Sequence, residues 1–368
     1  MGAHLPRIRT SEERRATELA LSISAGAWDG PILDEEAEEL RALEPCQVAA
    51  LLHIRRQCAH VHKRALPQLQ ARARALGYGN VAVQQTLAYI REQAPVIIHV
   101  DIARHGALLA DDTHYRNFFE VPGEASDEGA IHAQSRLDWE ARLFGGAYAK
   151  ARSFDRCKYG VLNVTNDPQG VRCCAPVYGS SYFLLRGVRL RTTLSAEDSA
   201  GLNASELATV DQYAHVLARY TDSELQAALE VGTGQRPGVD SLAVAAYKEA
   251  QVHGEVRLSN HVAVLMAHPS LQESPSLPIL ERLAERCCAP LVWMEVNAGV
   301  QEENDADSEL RSVLEASREE EELRRAIEAS TDDQTAAEDL RIALEASQAD
   351  EATVAEASTS CLCCSCCG

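Results

Sequence analysis

Pro95-Val96-Ile97-Ile98-His99-Val100 is the stretch that decides the fold of this chain. It is an apolar, mostly β-branched run behind a proline, which predicts a buried strand. Upstream, residues 11–94 are rich in Ala, Leu, Arg and Gln. That composition predicts helices over Glu35–Leu43, Gln47–Leu76 and Val81–Glu92, with Ser11-Glu12-Glu13 as a further helix start. Downstream, Val161–Val164, Tyr182–Leu185, Val188–Leu194, Val252–Leu258 and Leu291–Glu295 read as strands. Gly129–Gly146 reads as loop then helix, Ala204–Tyr220 as helix, and Glu230–Val239, with its glycines, as loop. The expectation is an α+β fold: a helical N-terminal region over residues 1–94, then a mixed or largely antiparallel sheet domain over 95–296.

Composition changes after Trp293. Residues 301–358 carry 19 acidic residues against 5 arginines, fourteen of the twenty net negative charges of the chain. No aromatic residue follows Trp293. Such a segment cannot assemble a core, so residues 297–358 are expected to be isolated helices or disordered. Its charge repels phosphate, which excludes nucleic acid as its partner. No run of about 18 apolar residues predicts a membrane span. The polar stretch Met1–Thr10 lacks an apolar core for a signal peptide, and Pro6 stands where a myristoylation site needs Ser or Thr. The expected location is therefore cytoplasmic, with reduced thiols.

Within the acidic tail one pattern recurs three times. The clearest copy runs Glu320-Glu321-Glu322-Leu323-Arg-Arg-Ala326-Ile327-Glu-Ala-Ser330. Leu340, Ala343, Leu344 and Ser347 repeat it downstream, and Leu310, Val313, Leu314 and Ser317 upstream. These positions fall at i, i+3, i+4 and i+7, one narrow face of a helix. The leucines are spaced 13 and then 17 residues apart, so no heptad seam continues and a coiled coil is excluded. A solvated acidic helix would not need the same face three times, each closed by Ser.

The three segments resemble ubiquitin-interacting motifs, short helices reading acidic run, aliphatic, x-x-Ala, aliphatic, x-x-Ser. The resemblance implies that the aliphatic residues and Ala lie on the apolar patch of ubiquitin. It also implies that the Ser bonds backbone at the patch edge and that the acidic run meets a basic rim. Val313 stands where the family has Ala, so the first copy holds its partner further off. The implied partner is ubiquitin or a polyubiquitin chain, recognised by avidity over weak single sites.

The chain ends in Cys361-Leu-Cys363-Cys364-Ser-Cys366-Cys367-Gly368. Residues 359–368 read as a site of S-acylation, which would bring membrane contact. Ser365 stands fourth from the end, where a prenylation box needs Cys. The Cys-Cys-x ending also resembles Rab-type termini, but the chain has no phosphate-binding P-loop. Metal binding by these thiols is a further option. No C-x-x-C pair occurs among the other seven cysteines, so a zinc ribbon is not expected.

The globular part holds clusters of chemically capable residues: His99-Val-Asp101-Ile-Ala-Arg104-His105, Lys158-Tyr159-Gly160-Val-Leu-Asn163, Tyr178-Gly179-Ser180-Ser181-Tyr182 and Tyr247-Lys-Glu249-Ala-Gln251-Val-His253-Gly254. Over about residues 90–270 these phrases resemble a little-characterised, largely bacterial domain family without a settled activity. The order His99, then Ser180 or Ser181 with Tyr182, then Glu249 with Gln251, also resembles ADP-ribosyltransferases. That likeness implies NAD as cofactor, with Glu249 polarising a ribose hydroxyl and His99 and Ser holding ribose and nicotinamide.

The plainer reading is that His99 is a hydrogen-bonded core residue and that Glu249 merely starts a strand. His53, His60 and His62 with Cys58 lie on one helical stretch without a matching carboxylate, a wet helix face rather than a metal site. His99 and Asp101, two apart on one strand, would share a face. The function expected is recognition of ubiquitin or ubiquitinated cargo. The alternative is an enzyme, of the class transferring ADP-ribose from NAD, that the tail directs to ubiquitinated targets.

Overall fold

The structure, a computed structural model, describes residues 34–121, 127–241 and 246–295. The chain divides into two units, residues 1–298 and 299–368. The three tail motifs, the cysteine terminus and Ser11–Glu13 lie outside the described residues.

The helices before Pro95 form as their composition predicts. α1 (Asp34–Arg41) leads into α2 (Pro45–Ala75), which starts from a capping box between Glu44 and Gln47. α3 (Asn80–Glu92) follows, and β1 (Val96–Val100) is buried at every position. That double-sided burial is why the run is continuously apolar rather than alternating.

Among the described residues eight strands, numbered in chain order, make one sheet in the order β5-β4-β6-β2-β1-β3-β7-β8. They are β2 (Lys158–Leu162), β3 (Ser181–Leu185), β4 (Thr192–Leu194), β5 (Ala208–Thr209), β6 (Glu249–Val252), β7 (Val262–Ala267) and β8 (Leu291–Trp293). All pairs are antiparallel except β7 with β8. The fold is thus α+β, with a mixed sheet, as expected.

Several local expectations are corrected. Val252–Leu258 is not a strand: β6 ends at Val252, and Leu258–His261 is a helical turn. Ala204–Tyr220 is not one helix but a 3₁₀ turn, the short β5 and a four-residue helix, Ala214–Leu217. Its apolar residues are those of strand and loop drawn into the core, where tertiary packing overrides helix propensity. Only Thr192–Leu194 of Val188–Leu194 is strand, because Arg189–Arg191 turns to bury the Arg191 guanidinium. β7 is a strand with no alternating signal in its residues, because its composition is entirely apolar.

Register assigns each strand residue to a face. Val96, Ile98, Val100, Leu162, Phe183, Leu185, Leu194, Ala250, Val252, Leu265 and Ala267 fall on one face, all within the main core. That face is covered by α3, α4 (Ile102–Asp111), α6 (Asp222–Gly232) and α7 (Leu277–Cys287), through residues such as Ile90, Leu109, Leu229 and Leu283. Leu40, Leu51 and Leu69 of the first two helices join the same core, so helices and sheet share one interior. The opposite face carries Ile97, His99, Tyr182, Val161, Tyr159, Glu249, Gln251 and Thr193. Over β4, β6 and β2 it is roofed by Leu143, the last residue of α5 (Asp127–Leu143), by Phe144 and Tyr148 after it, and by Ala50, Ile54 and Cys58 of α2. No helix among the described residues is long and apolar enough to cross a membrane.

Candidate functional site

The second sheet face is where the chemistry lies, because it buries His99, Tyr182, Glu249 and Gln251 together. β1 pairs His99 with Tyr182 of β3, and their ring centroids are 5.7 Å apart. β2 lies between β1 and β6, and Glu249 is level with Val161 and Ile97, so it sits two strand spacings, roughly 10 Å, across from Ile97 and is offset by two residues along the strands from His99. The structure thus brings His99, Tyr182, Glu249 and Gln251 onto one face. It does not bring the two serines there. Ser181 is the partner of Val100 and faces the main core, where its Oγ accepts from the His268 amide at 3.1 Å. Ser180 is exposed in the turn before β3.

His99 is a fully satisfied imidazole. Its Nδ1–H donates to the Gly179 carbonyl at 2.8 Å, and its Nε2 accepts from the Val171 amide at 3.1 Å. Burial pushes its pKa down to about 4, so the ring is neutral. The two glycines around it are there for close approach. Gly179 has φ of +99°, and a Cβ there would lie 2.3 Å from the Asp101 amide nitrogen. Gly170 has φ of +78°, and its Cβ would strike the Tyr182 ring at 2.8 Å. Tyr182 in turn donates to the Pro168 carbonyl at 2.9 Å. The loop carrying Pro168–Val171 therefore closes over both side chains and engages Nε2 of His99, while the Gly179 turn takes Nδ1. Here the plainer reading holds, and His99 organises backbone. Asp101 is not on the strand with it: Asp101 caps α4, accepting from the Arg104 amide at 3.0 Å.

Glu249 is different. It is the first residue of β6 and only 7% exposed. Its Oε1 accepts from Ser199 Oγ at 2.5 Å and from Gln251 Nε2 at 2.7 Å. No cation pairs with it among the described residues; the nearby charge is a second carboxylate, Asp198. Burial first, and Asp198 second, push the Glu249 carboxyl up to about 7, while the two hydroxyl and amide donors hold it down. Tyr247 donates to Asp198 Oδ2 at 2.6 Å, and the half-exposed Tyr178 ring meets Tyr247 edge-on at 6.5 Å. Burial raises the Tyr178 phenol to about 12, with Asp198 and Glu249 adding to it. The result is a buried carboxyl poised near neutrality beside an exposed aromatic ring and an exposed acid. Such a group can take or give a proton near pH 7, or stabilise a developing cation.

Asp198, Ser199 and Thr193 are the members that the sequence does not announce. They come from β4 and the loop after it, and only the β4–β6 register places them beside Glu249. His253, by contrast, stands in the Glu-x-Gln-x-His phrase. On α2, Cys58 is buried and donates to Gln212 Oε1 at 2.9 Å, and His62 accepts from the Ala214 amide, so these residues serve packing. No group of three or more His, Cys, Asp or Glu able to hold a metal occurs among the described residues.

Residues 99–242 match a family described as a protein of unknown function, DUF3626. This supports the likeness to a little-characterised domain. The matched stretch includes the Tyr159–Asn163 and Gly179–Tyr182 phrases and stops short of Glu249. No curated protein matches the chain.

The raised Glu249 pKa has a consequence for stability. Folding takes up a proton between the unfolded value near 4.5 and the folded value near 7. The contribution of this group is therefore intact below about pH 4.5 and is lost as pH rises through about 7. Glu249→Gln removes the titration, so its gain in melting temperature over wild type is expected to be larger at pH 8 than at pH 5. Equal effects at both pH values would contradict the assignment.

Proposed function

We propose that this protein recognises ubiquitin or polyubiquitinated cargo through its acidic tail. The observation that carries the reading is the threefold recurrence of one helical face: Leu310, Val313, Leu314, Ser317; Leu323, Ala326, Ile327, Ser330; and Leu340, Ala343, Leu344, Ser347. Ala326 and Ala343 are the points of closest approach, and an acidic run such as Glu320-Glu321-Glu322 faces the basic rim of the partner. One such helix buries far less than the roughly 1,200 Å² of a stable interface, so each copy binds weakly. Copies linked along one tail raise the effective concentration for a chain of ubiquitins. The terminal cysteines Cys361, Cys363, Cys364, Cys366 and Cys367 add a membrane contact by S-acylation in this reading, since two or more acyl chains give stable anchoring.

In calorimetric titrations the full chain is expected to bind tetraubiquitin at least about tenfold more tightly than monoubiquitin. Ala326→Leu with Ala343→Leu and Ser330→Ala should abolish both interactions. Equal affinity for the two ligands would remove avidity from the account, and undiminished binding by the triple variant would sink the motif assignment. Deleting residues 361–368 should release the protein from the membrane fraction while leaving ubiquitin affinity unchanged; continued membrane association would refute acylation there.

A second reading is favoured by Glu249. A carboxyl held near neutrality on the same sheet face as His99 and Tyr182 supports an enzymatic role for the globular unit, with NAD-dependent ADP-ribosyl transfer as the reaction class. In that role Glu249, with Gln251 beside it, would polarise a ribose hydroxyl and stabilise the cationic transition state. His99 would support the loop over the site rather than touch the nucleotide. Release of nicotinamide from NAD by the full-length protein, lost by about a hundredfold or more in Glu249→Gln, is the expected result. Equal release by wild type and Glu249→Gln, or none by wild type, would remove this reading and leave the ubiquitin reading untouched.

A further inference from the structure

Behind Glu249 stands a line of buried side chains whose hydrogen-bond directions all agree. Thr193, Gln251 and His253 are 0% exposed and Tyr148 1%. Thr193 Oγ1–H donates to Gln251 Oε1 at 2.8 Å. The Thr193 oxygen is then left to accept from His253 Nε2–H at 3.0 Å. The other ring nitrogen, Nδ1, accepts from the Tyr148 hydroxyl at 2.6 Å. Gln251 Nε2–H in turn reaches Glu249 Oε1 at 2.7 Å. Burial, and then the Arg191 guanidinium, push the His253 pKa down to about 3, so the ring stays neutral and offers one donor and one acceptor. The Tyr148 ring lies parallel to it at 6.1 Å and Phe144 meets it edge-on, which fixes the imidazole plane.

Reversing the Gln251 amide would turn its carbonyl oxygen onto the ionised carboxylate. Two buried acceptors would then face each other, at the cost of the unmade bond. The Thr193 hydroxyl prevents this by occupying the amide oxygen. Ser199, from the loop after β4, donates to the same Oε1, so that oxygen is gripped from two elements. The remaining groups that bear on Glu249 electrostatically are Asp198, Tyr178 and Tyr247 at the rim, Cys157 just before β2 and Tyr159 on it.

We propose that Gln251 is the positioning residue of Glu249, and that Thr193, His253 and Tyr148 lock its amide in the one orientation that aims N–H at the carboxylate. Its value to function rests on the reading of Glu249 as the reactive group. Its physical content, the orientation of a carboxylate, is measurable without turnover.

The test uses full-length protein labelled with ¹³C at glutamate carboxyls and ¹⁵N in histidine, followed by NMR across pH. Wild-type His253 is expected as the Nε2–H tautomer. Gln251→Leu removes one donor to the ionised carboxylate, so the Glu249 midpoint should rise by about one pH unit. Thr193→Val keeps the volume but frees the amide. It should raise the midpoint by a smaller amount and drive His253 away from a pure Nε2–H tautomer. Thr193→Ser, which restores the hydroxyl, should return both readouts to wild type.

The proposal is overturned by an Nδ1–H tautomer in the wild type. It is equally overturned if Gln251→Leu and Thr193→Val leave the midpoint within about 0.2 pH unit of wild type. Should Gln251→Leu fail to fold, the Thr193→Val and Thr193→Ser pair decides alone. The expected shifts in a protein that leaves NAD intact would uphold the positioning role and count against the enzymatic reading only.

Discussion

The two-residue period of the sheet is the constraint on which the rest of this structure depends. One face is filled with Val, Ile, Leu and Phe and carries the helices. Apart from Lys158, Ser181 and Thr192, the polar side chains of the strands lie on the other face, where solvent is excluded by α2 and the Phe144–Tyr148 segment. Polar groups taken out of water must find partners or change their charge. His99, Tyr182, Gln251 and His253 find partners. Glu249 finds donors but no cation among the described residues, and it meets Asp198 besides, so its proton affinity rises. The perturbed group follows from the architecture rather than from any local motif.

The contrast between His99 and Glu249 shows how burial sorts candidate residues. Both are buried on the same face, and both were singled out by residue type. His99 is made neutral by desolvation, and its two nitrogens are consumed by the Gly179 carbonyl and the Val171 amide. It has no valence left for a ligand and works as a cross-brace between two loops. Glu249 keeps an ionisable proton near neutrality and sits beside the exposed Tyr178 and Asp198.

Much of this was legible in the sequence. Pro95 and the run Val96–Val100 marked the change from helices to sheet, and the first helices formed within one to two residues of their expected bounds. Tyr182, Glu249 and Gln251 stood out by type. What stayed hidden depended on register. Ser181 looked like a neighbour of His99 but lies one residue off in a period of two, and so faces the opposite side. Thr193 and Ser199 are unremarkable in a linear reading and reach Glu249 only because β4 pairs with β6. Ala204–Tyr220 read as helix from its composition, while its apolar residues are buried as strand, turn and a single helical turn. The tail shows the reverse case, since its repeat is legible only in sequence and needs no core to make sense.

In the proposed reading the tail supplies recognition of ubiquitin, and the globular unit supplies a proton-active carboxyl on a buried sheet face. The second half of that statement turns on one group. Infrared difference spectroscopy of the full chain between pH 4 and 9, with Glu249→Gln as the reference, isolates the protonated carboxyl band of Glu249. The band should disappear on raising the pH with a midpoint of about 7. A midpoint near the ordinary glutamate value of about 4.3 would contradict the account.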